Sequence, residues 1–532
     1  MLPVPNLLRY HSFYILILDH LAGTGSPIPL WRSIFTAVFF FAYFRAVMLL
    51  QKRIIILCSI LSTLLAFYCY NPFALYFQSD DFVHIPLSAQ GFLIQRNTFR
   101  PICDLSIMLD YSLWGKNAWG YHLTNLLLHV VCCIILFFLV KLILKKYFQQ
   151  SQTNYTCWLI SSLFFVYAMH SEAVLWILGR SAILGSIFTL MALYCYLQKN
   201  ESGKFIAGFI LFFSLSLLTY ESSWMLPLYA LLISFAEVKC NKSTFKKELL
   251  SIFSLLLIFI IYLVIRKSYI HEITGEYESS ALLSGDFITI IRNYIILLAR
   301  SFVPALINNK ILLACFIIIA ILILLSSLSL KKNKRNISLI IFTCFLVSLL
   351  PYTSLGVDTN GTEAERFLYF PTLILCIFTA VVISACTQKS FYFQWLYPVL
   401  FTSHIFILYI VTNNYRFAGD VNKMIVSELQ KNDSKKTVLV QGLPQSQYGA
   451  LILRLGFSEM TEWLINSPPQ RSIVICSQRS EVNPLHNPYF ITYSNSQKIL
   501  CTSKTILDST TIKTNTDTVL FNFTDSSLII TK

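Results

Sequence analysis

Long apolar runs alternate with short charged connections along most of the chain. Apolar stretches of spanning length lie at about 54–73, 122–144, 156–171, 179–197, 205–219, 222–236, 249–269, 311–329, 337–352, 367–386 and 393–412. A bilayer core asks for roughly 20 such residues per helix. The pattern predicts an all-α polytopic membrane protein of about eleven spans. The stretch 287–303 is apolar as well, but it carries Arg292 and Arg300 and reads as an interfacial or tilted helix that does not cross. Another apolar run, 33–50, is separated from 54–73 only by Gln51, Lys52 and Arg53, too little for a hairpin between two full spans. Residues 1–47 are therefore set apart as an extra segment or a misassigned start, and Met48 would open the first span naturally.

From about residue 413 the pattern changes. Polar residues and short alternating runs appear at Thr437–Val440, Ser472–Cys476, Thr518–Phe523 and Leu528–Thr531, with turns such as Ser467-Pro468-Pro469 between them. Alternation bounded by turn residues predicts strands. Residues 413–532 read as a small soluble α/β or β domain following a transmembrane domain over 48–412, and no repeat period is visible.

Composition sharpens this picture. Of 532 residues, 56% are hydrophobic and 13% charged, with a mean hydropathy of +0.64, which excludes a soluble enzyme, a disordered chain and a secreted disulfide scaffold. A net charge of +15 would suggest nucleic acid in a soluble protein. Here the charges sort by connection. One set holds Lys52, Arg53, Lys145, Lys146, Lys199, Lys204, Lys239, Lys242, Lys246, Lys247, Lys331, Lys332, Lys334, Arg335 and Lys389. The other set is acidic or mixed: Asp80 and Asp81, Glu172, Glu221, 272–286 and 358–366. The positive-inside rule puts the first set in the cytoplasm and residues 413–532 outside, so no nucleic-acid partner is needed. Most of the 14 cysteines fall within spans, where Cys acts as a small hydrophobe. Cys103, Cys476 and Cys501 fall outside, where a Cys476–Cys501 bridge and two free thiols are both open readings. No metal-ligand spacing occurs, and nothing supports a divalent ion.

Ionisable groups beside a bilayer are costly, so their placement carries information. They gather at the outer ends of the spans. In the long outer loop 74–121, Asp80 and Asp81 follow a span directly; mutual repulsion and burial would raise one pKa and make it a base near neutrality. The plain alternative is a helix start, with Ser79-Asp80 as its cap. His122, Asn125 and His129 share one face of the next span; His122 at the edge suits a functional role, whereas His129, deeper, suits interhelical bonding. Glu172, Trp176 and Arg180 align at i, i+4, i+8, either as site groups or as an ion pair fastening the loop. Glu221 sits in a very short outer turn. Arg366 heads a span within Gly361–Tyr369, placed for a lipid-linked phosphate or for snorkelling to headgroups. Together these predict an outer cavity roofed by the long loop and open to lipid. No phosphate-binding Gly-rich loop is present, so a nucleotide donor is not expected.

These residues also carry a resemblance. The Asp80-Asp81 pair, Arg100-Pro101 with Leu113-Trp114-Gly115, Gly120-Tyr121-His122 through His129, His170-Ser171-Glu172 with Gly179-Arg180, and Glu365-Arg366-Phe367-Leu368-Tyr369-Phe370-Pro371 stand in order across about 54–412. In this the chain resembles the GT-C class of polyprenyl-phosphate-sugar glycosyltransferases. It looks closest to the membrane part of the transmembrane and tetratricopeptide-repeat O-mannosyltransferases and their bacterial relatives. Glu221 sits where that family usually shows Lys-Glu, with Tyr220 replacing the Lys.

The resemblance implies inverting transfer of a sugar from a lipid-phosphate carrier to an acceptor hydroxyl on a protein, glycan or lipid. Asp80 or Asp81 would be the general base. Arg366 and Arg180 would stabilise the leaving phosphate, while His122, Glu172, Glu221, Glu365 and Tyr369 would line the site. The repeat domain of the eukaryotic enzymes is missing, and the tail looks like the outer domains of bacterial relatives. A bacterial inner membrane with a periplasmic site is therefore expected, or the ER membrane in a eukaryote. Two other functions stay open on sequence: a polytopic transporter, and a silent relative that binds glycan or scaffolds an assembly.

Overall fold

The computed structural model describes residues 60–91 apart from 61–63 and 66, 99–148, 154–239, 245–270, 286–305, six positions between 317 and 330, 332–386, 393–431 and 437–465 apart from 442. Beyond these it describes the strand residues 472–475, 478–479, 492–493, 518–523 and 528–531. The expectations for residues 1–47 and for a Cys476–Cys501 bridge lie outside the described residues.

Among the described residues, five helices are long and apolar enough to cross a membrane: Ala118–Phe148, Ile177–Leu197, Ile252–Ile270, Lys334–Tyr352 and Glu365–Ser384. The chain is a helical, multi-pass membrane protein. The Glu365–Ser384 span is buried throughout, whereas Ile252–Ile270 is mostly exposed, so the first is the bundle's axis and the second faces lipid. The expected span at 156–171 is bent by 55° between Asn154–Phe165 and Ala168–Leu175. A break in a membrane helix is tolerated when its freed backbone groups find partners. Here the Phe165 carbonyl accepts from the Tyr70 hydroxyl (3.0 Å) and from His129 Nε2 (3.2 Å), and the Ala168 N–H donates to His404 Nδ1 (3.3 Å).

Two other expected spans are short helices, Gly203–Leu217 and Leu226–Lys239, of 15 and 14 residues. Half of segment 54–73 and most of 311–329 lie outside the described residues. The segment at 287–303 forms the helix Phe287–Arg300, capped by Asp286, whose carboxylate accepts from the Thr289 N–H (3.0 Å). Ile288, Ile291 and Ile295 are exposed on one face, while Leu297 and Arg300 are buried. That is the amphipathic form of a helix lying in an interface.

The bundle has two chemically distinct ends. At one, Lys146 pairs with Glu237 (3.0 Å) and Lys199 with Glu248 (2.9 Å). At the other stand His122, Arg180 and the short elements 168–179. Lys146 and His122 share the Ala118–Phe148 helix, and 24 residues at about 1.5 Å each put them roughly 36 Å apart. An apolar groove lined by Leu139, Ile143, Leu193, Tyr229, Ile341 and Ile374 lies in the half of the bundle nearer Lys146.

The expected boundary at 412 falls inside one continuous helix, Phe393–Lys431. Tyr415, Ala418, Asn422 and Leu429 are buried along it. The change to polar residues after 412 therefore occurs within a helix and does not mark its end. The C-terminal part then forms a five-stranded sheet in the order 492–493, 472–475, 437–441, 518–523, 528–531. The three central strands are parallel and the two outer ones antiparallel to their neighbours, with Val438 registered against both Ile473 and Val519. Parallel pairing requires crossover connections between these strands.

Candidate functional site

The Asp80-Asp81 turn treats its two carboxylates differently. Asp81 opens the helix Asp81–Ala89 and is fully buried; its Oδ2 accepts the Gln78 N–H at 2.9 Å. Burial pushes its carboxyl well above the ordinary value; the Gln78 bond pulls the other way, and the neighbouring Asp80 charge adds to the rise. Asp80 is only partly buried, and its Oδ1 accepts from the Ser79 hydroxyl at 3.1 Å. A carboxylate that must reach a substrate proton needs exposure, which Asp80 has and Asp81 lacks.

Glu172 and Arg366 form the second part. The buried Glu172 accepts the Arg366 backbone N–H at 2.8 Å and its guanidinium at 2.6 Å. The Arg366 side chain is 24% exposed and lies between the Trp176 and Phe367 rings, 4.9 and 4.8 Å from their centroids. A guanidinium fixed by a carboxylate and two rings yet reaching the surface is preorganised for an anion. Behind it, the buried Glu365 pairs with Arg300 (2.5 Å) and accepts from Ser171 (3.2 Å). Arg300 also donates to the carbonyls of Asp358 (3.1 Å) and Val303 (2.6 Å). Arg300 thereby joins the interfacial helix to the loop that carries Arg366.

Arg180 is fully buried and committed to protein partners. Its Nε donates to Asn125 Oδ1 (2.7 Å), Nη1 to the Ser106 carbonyl and hydroxyl (3.2 and 3.1 Å), and Nη2 to the Tyr121 carbonyl (3.0 Å), with Asp110 paired at 2.5 Å. These contacts hold the guanidinium against protein groups on three sides. Spacing allows a Glu172–Arg180 pair, but it does not form: Arg180 takes Asp110 and Glu172 takes Arg366. Arg180 instead fastens the outer helix Pro101–Trp114 to the bundle. His122 is buried and donates through Nε2 to the Tyr76 carbonyl (3.3 Å), holding the chain just before the aspartate turn.

Glu221 lies between two cations. Arg100 reaches it at 2.8 Å and Arg266 at 3.4 Å, and the Arg100 guanidinium lies 4.9 Å from the Tyr220 ring centroid. Burial alone would raise its pKa; Arg100 first and Arg266 second more than offset this, so Glu221 is held below the ordinary value and stays ionised. Nearby, burial pushes the Asp104 carboxyl up to about 7 against the pull of Arg100.

Tyr369 sits one turn inside the axial helix. Its hydroxyl donates to His129 Nδ1 at 2.7 Å, which leaves Nε2 as the donor to the broken-helix carbonyl of Phe165. Both residues are fully buried. Tyr369→Phe is expected to lower stability by about 1–2 kcal/mol, since His129 loses a buried partner, and to leave turnover unchanged. Thermal unfolding and activity of the same preparation check this. Among the described residues, no group of three or more His, Cys, Asp or Glu is placed to hold a metal ion.

The structure thus brings Glu172, Glu365 and Arg366 together and sets Asp80 on a turn of the outer loop. Arg180, His122 and Tyr369 are in supporting positions. Sequence reasoning treated Arg300 only as a charge that keeps its helix out of the bilayer, passed over Asp110 and Arg266, and gave Gly449–Phe457 no part in the site. An arginine on the buried face of an otherwise apolar helix was the available signal for Arg300.

No family model matches the chain. A protein O-mannosyl-transferase of Caenorhabditis elegans is 24% identical over 347 residues, 61% of this chain and 47% of that protein. Protein O-mannosyl-transferase TMTC2 of Homo sapiens is 30% identical over 128 residues, 24% of this chain and 14% of that one. The Xenopus laevis protein of the same name is 35% identical over 121 residues, 22% and 13% of the two chains. The chain matches about half the length of the nematode relative and a smaller part of the vertebrate ones. Among solved structures, ArnT from Cupriavidus metallidurans bound to undecaprenyl phosphate superposes with a TM-score of 0.45 at 10% identity, covering 79% of this chain and 89% of that one. The resemblance carried by the ordered motifs therefore has a counterpart in alignment: the chain is similar in sequence to the protein O-mannosyl-transferases.

Proposed function

We propose that the chain is an inverting glycosyltransferase that moves a sugar from a polyprenyl-phosphate carrier to an acceptor hydroxyl at the outer membrane face. One observation carries the reading. The turn bearing Asp80 and the loop bearing Arg366 meet at the same buried residue, Tyr415. Its backbone carbonyl accepts from Gln78 Nε2 (3.0 Å), and its hydroxyl lies 3.5 Å from Thr362 Oγ1. A reachable carboxylate and a reachable guanidinium are thus held on one scaffold at the site end of the bundle.

In the proposed reaction Asp80 accepts the acceptor's hydroxyl proton as its oxygen attacks the anomeric carbon. The bond from that carbon to the phosphate oxygen breaks on the opposite side, and the electron pair leaves with polyprenyl phosphate. Arg366, oriented by Glu172, stabilises the developing phosphate charge. A single displacement with one base inverts the anomeric centre, whereas retention asks for a second nucleophile. A lipid-borne donor accords with a cation at the head of a membrane helix and with the absence of a Gly-rich nucleotide loop. The acceptor is a protein, glycan or lipid hydroxyl. The positive-inside rule supports a site on the non-cytoplasmic face, periplasmic in a bacterial inner membrane and lumenal in an ER membrane.

The test is incubation of the purified protein, in lipid, with a polyprenyl-phosphate sugar and candidate acceptors. Release of polyprenyl phosphate with an inverted sugar linkage is the expected result. Accumulation of sugar inside sealed proteoliposomes without any transfer overturns the reading in favour of a transporter.

A further inference from the structure

The loops that carry Asp80 and Arg366 share a second support besides Tyr415, a segment about 370 and 85 residues further along the chain, Gln445–Gly456. Ser79, next to Asp80, has φ +40°, in the left-handed region that non-glycine residues rarely adopt. Its N–H donates to the Ile452 carbonyl (2.8 Å), and its Oγ accepts the Leu455 N–H (3.3 Å) while donating to Asp80 Oδ1. The same Ile452 carbonyl accepts from Asn422 Nδ2 (3.1 Å), which also donates to the Phe77 carbonyl (2.9 Å). Gly456 follows, and a Cβ there would stand 2.8 Å from the Ser79 carbonyl oxygen.

The other end of the segment grips the second loop. The Tyr448 carbonyl accepts from Thr362 N (3.0 Å) and Oγ1 (3.3 Å), and Arg454 pairs with Glu363. Tyr448 and Gly449, at φ +47° and +90°, form the two-residue turn between Ser446–Gln447 and Ala450–Leu451. A Cβ on Gly449 would run into the backbone nitrogens of Thr362 and Glu363. Just past the segment, Phe457 and Met460 are buried and Trp463 packs 4.9 Å from the Phe77 ring, so the segment is anchored on both sides. No catalytic group of the proposed reaction lies on it, yet both catalytic loops hang from it.

We infer that Gln445–Gly456 is a positioning strap supplied by the C-terminal part of the chain, which keeps the Asp80 turn and the Arg366 loop in register so that base and phosphate ligand face one substrate. What the two loops do rests on the glycosyltransferase reading; their mechanical coupling through the strap does not. Arg454 and Glu363 are the positioning residues to test, because their side chains are 39% and 38% exposed and charge changes there do not threaten the fold.

The experiment compares full-length wild type with Arg454→Glu, Glu363→Arg and the double charge swap, all in lipid nanodiscs. Hydrogen–deuterium exchange is followed at 79–84 and 361–366, and sugar transfer is measured in parallel. Each single reversal is expected to speed exchange in both loops and to lower transfer about tenfold, with kcat falling more than KM changes. The swap is expected to restore both readouts. Exchange that rises only at 361–366, rises nowhere, or rises at both loops and is not restored by the swap overturns the strap. Absence of transfer in the wild type itself overturns the glycosyltransferase reading, and the exchange measurement still decides the strap.

Discussion

Asp80→Asn is expected to lower sugar transfer by about 10²–10⁴-fold, the range a general base contributes, with an unchanged unfolding temperature. Asp81→Asn is expected to retain most of the turnover. The two residues are adjacent and chemically alike, so the difference comes from environment. Asp80 is partly exposed, and its substitution leaves no charge uncompensated. Asp81 is fully buried, with one oxygen on the Gln78 N–H, a bond that an asparagine carbonyl oxygen can keep. Its carboxyl is pushed up chiefly by burial, so the folded protein holds that proton more tightly than the unfolded chain does. Stability from this group is therefore greatest at low pH. It falls as pH rises from the ordinary carboxylate value through the raised one. Asp81→Asn removes that dependence and should unfold at the same or a higher temperature than wild type at neutral pH. Unfolding temperatures of both variants across pH, with transfer assays on the same samples, check the assignment. Loss of transfer in Asp81→Asn with wild-type activity in Asp80→Asn would reverse the roles.

The apolar period announced the helical membrane architecture without ambiguity, and the four longest C-terminal strands stand where alternation and turns put them, at 437–441, 472–475, 518–523 and 528–531. The chemistry of the individual residues was legible too, since a carboxylate or guanidinium at the head of a span is conspicuous in an otherwise apolar chain. Their pairing was not. Glu172 and Arg366 are 194 residues apart and Arg300 and Glu365 are 65 apart, and no local period links such positions. Local spacing suggested Glu172 with Arg180, but tertiary packing brings Asp110 to Arg180 instead. The bend at 166–167 was illegible for a related reason. The residues around it are as apolar as any span, and what stabilises the break is donors on remote helices, Tyr70 and His129. The continuity of Phe393–Lys431 through position 412 was not legible either, because a helix can change composition without ending.

Arg366→Ala carries the other large expected effect, a loss of about 10²–10³-fold in turnover, comparable to removing one donor from a preorganised anion site. The substitution also leaves Glu172 buried without its cation, which should cost up to about 3 kcal/mol of stability, less than for a fully buried pair because Arg366 is partly exposed. The two losses can be separated. Glu172→Gln removes the buried charge while its amide oxygen can still accept the Arg366 backbone N–H, so the double variant Arg366→Ala/Glu172→Gln should recover most of the unfolding temperature. It should recover none of the turnover, because the guanidinium proposed to meet the leaving phosphate is still missing. Glu172→Gln alone should cost about tenfold, since Arg366 then keeps its place between the Trp176 and Phe367 rings but loses the charged partner that orients it. Recovery of turnover together with stability in the double variant would make Arg366 a structural cation, and the phosphate would then have to be met by another group at the site end.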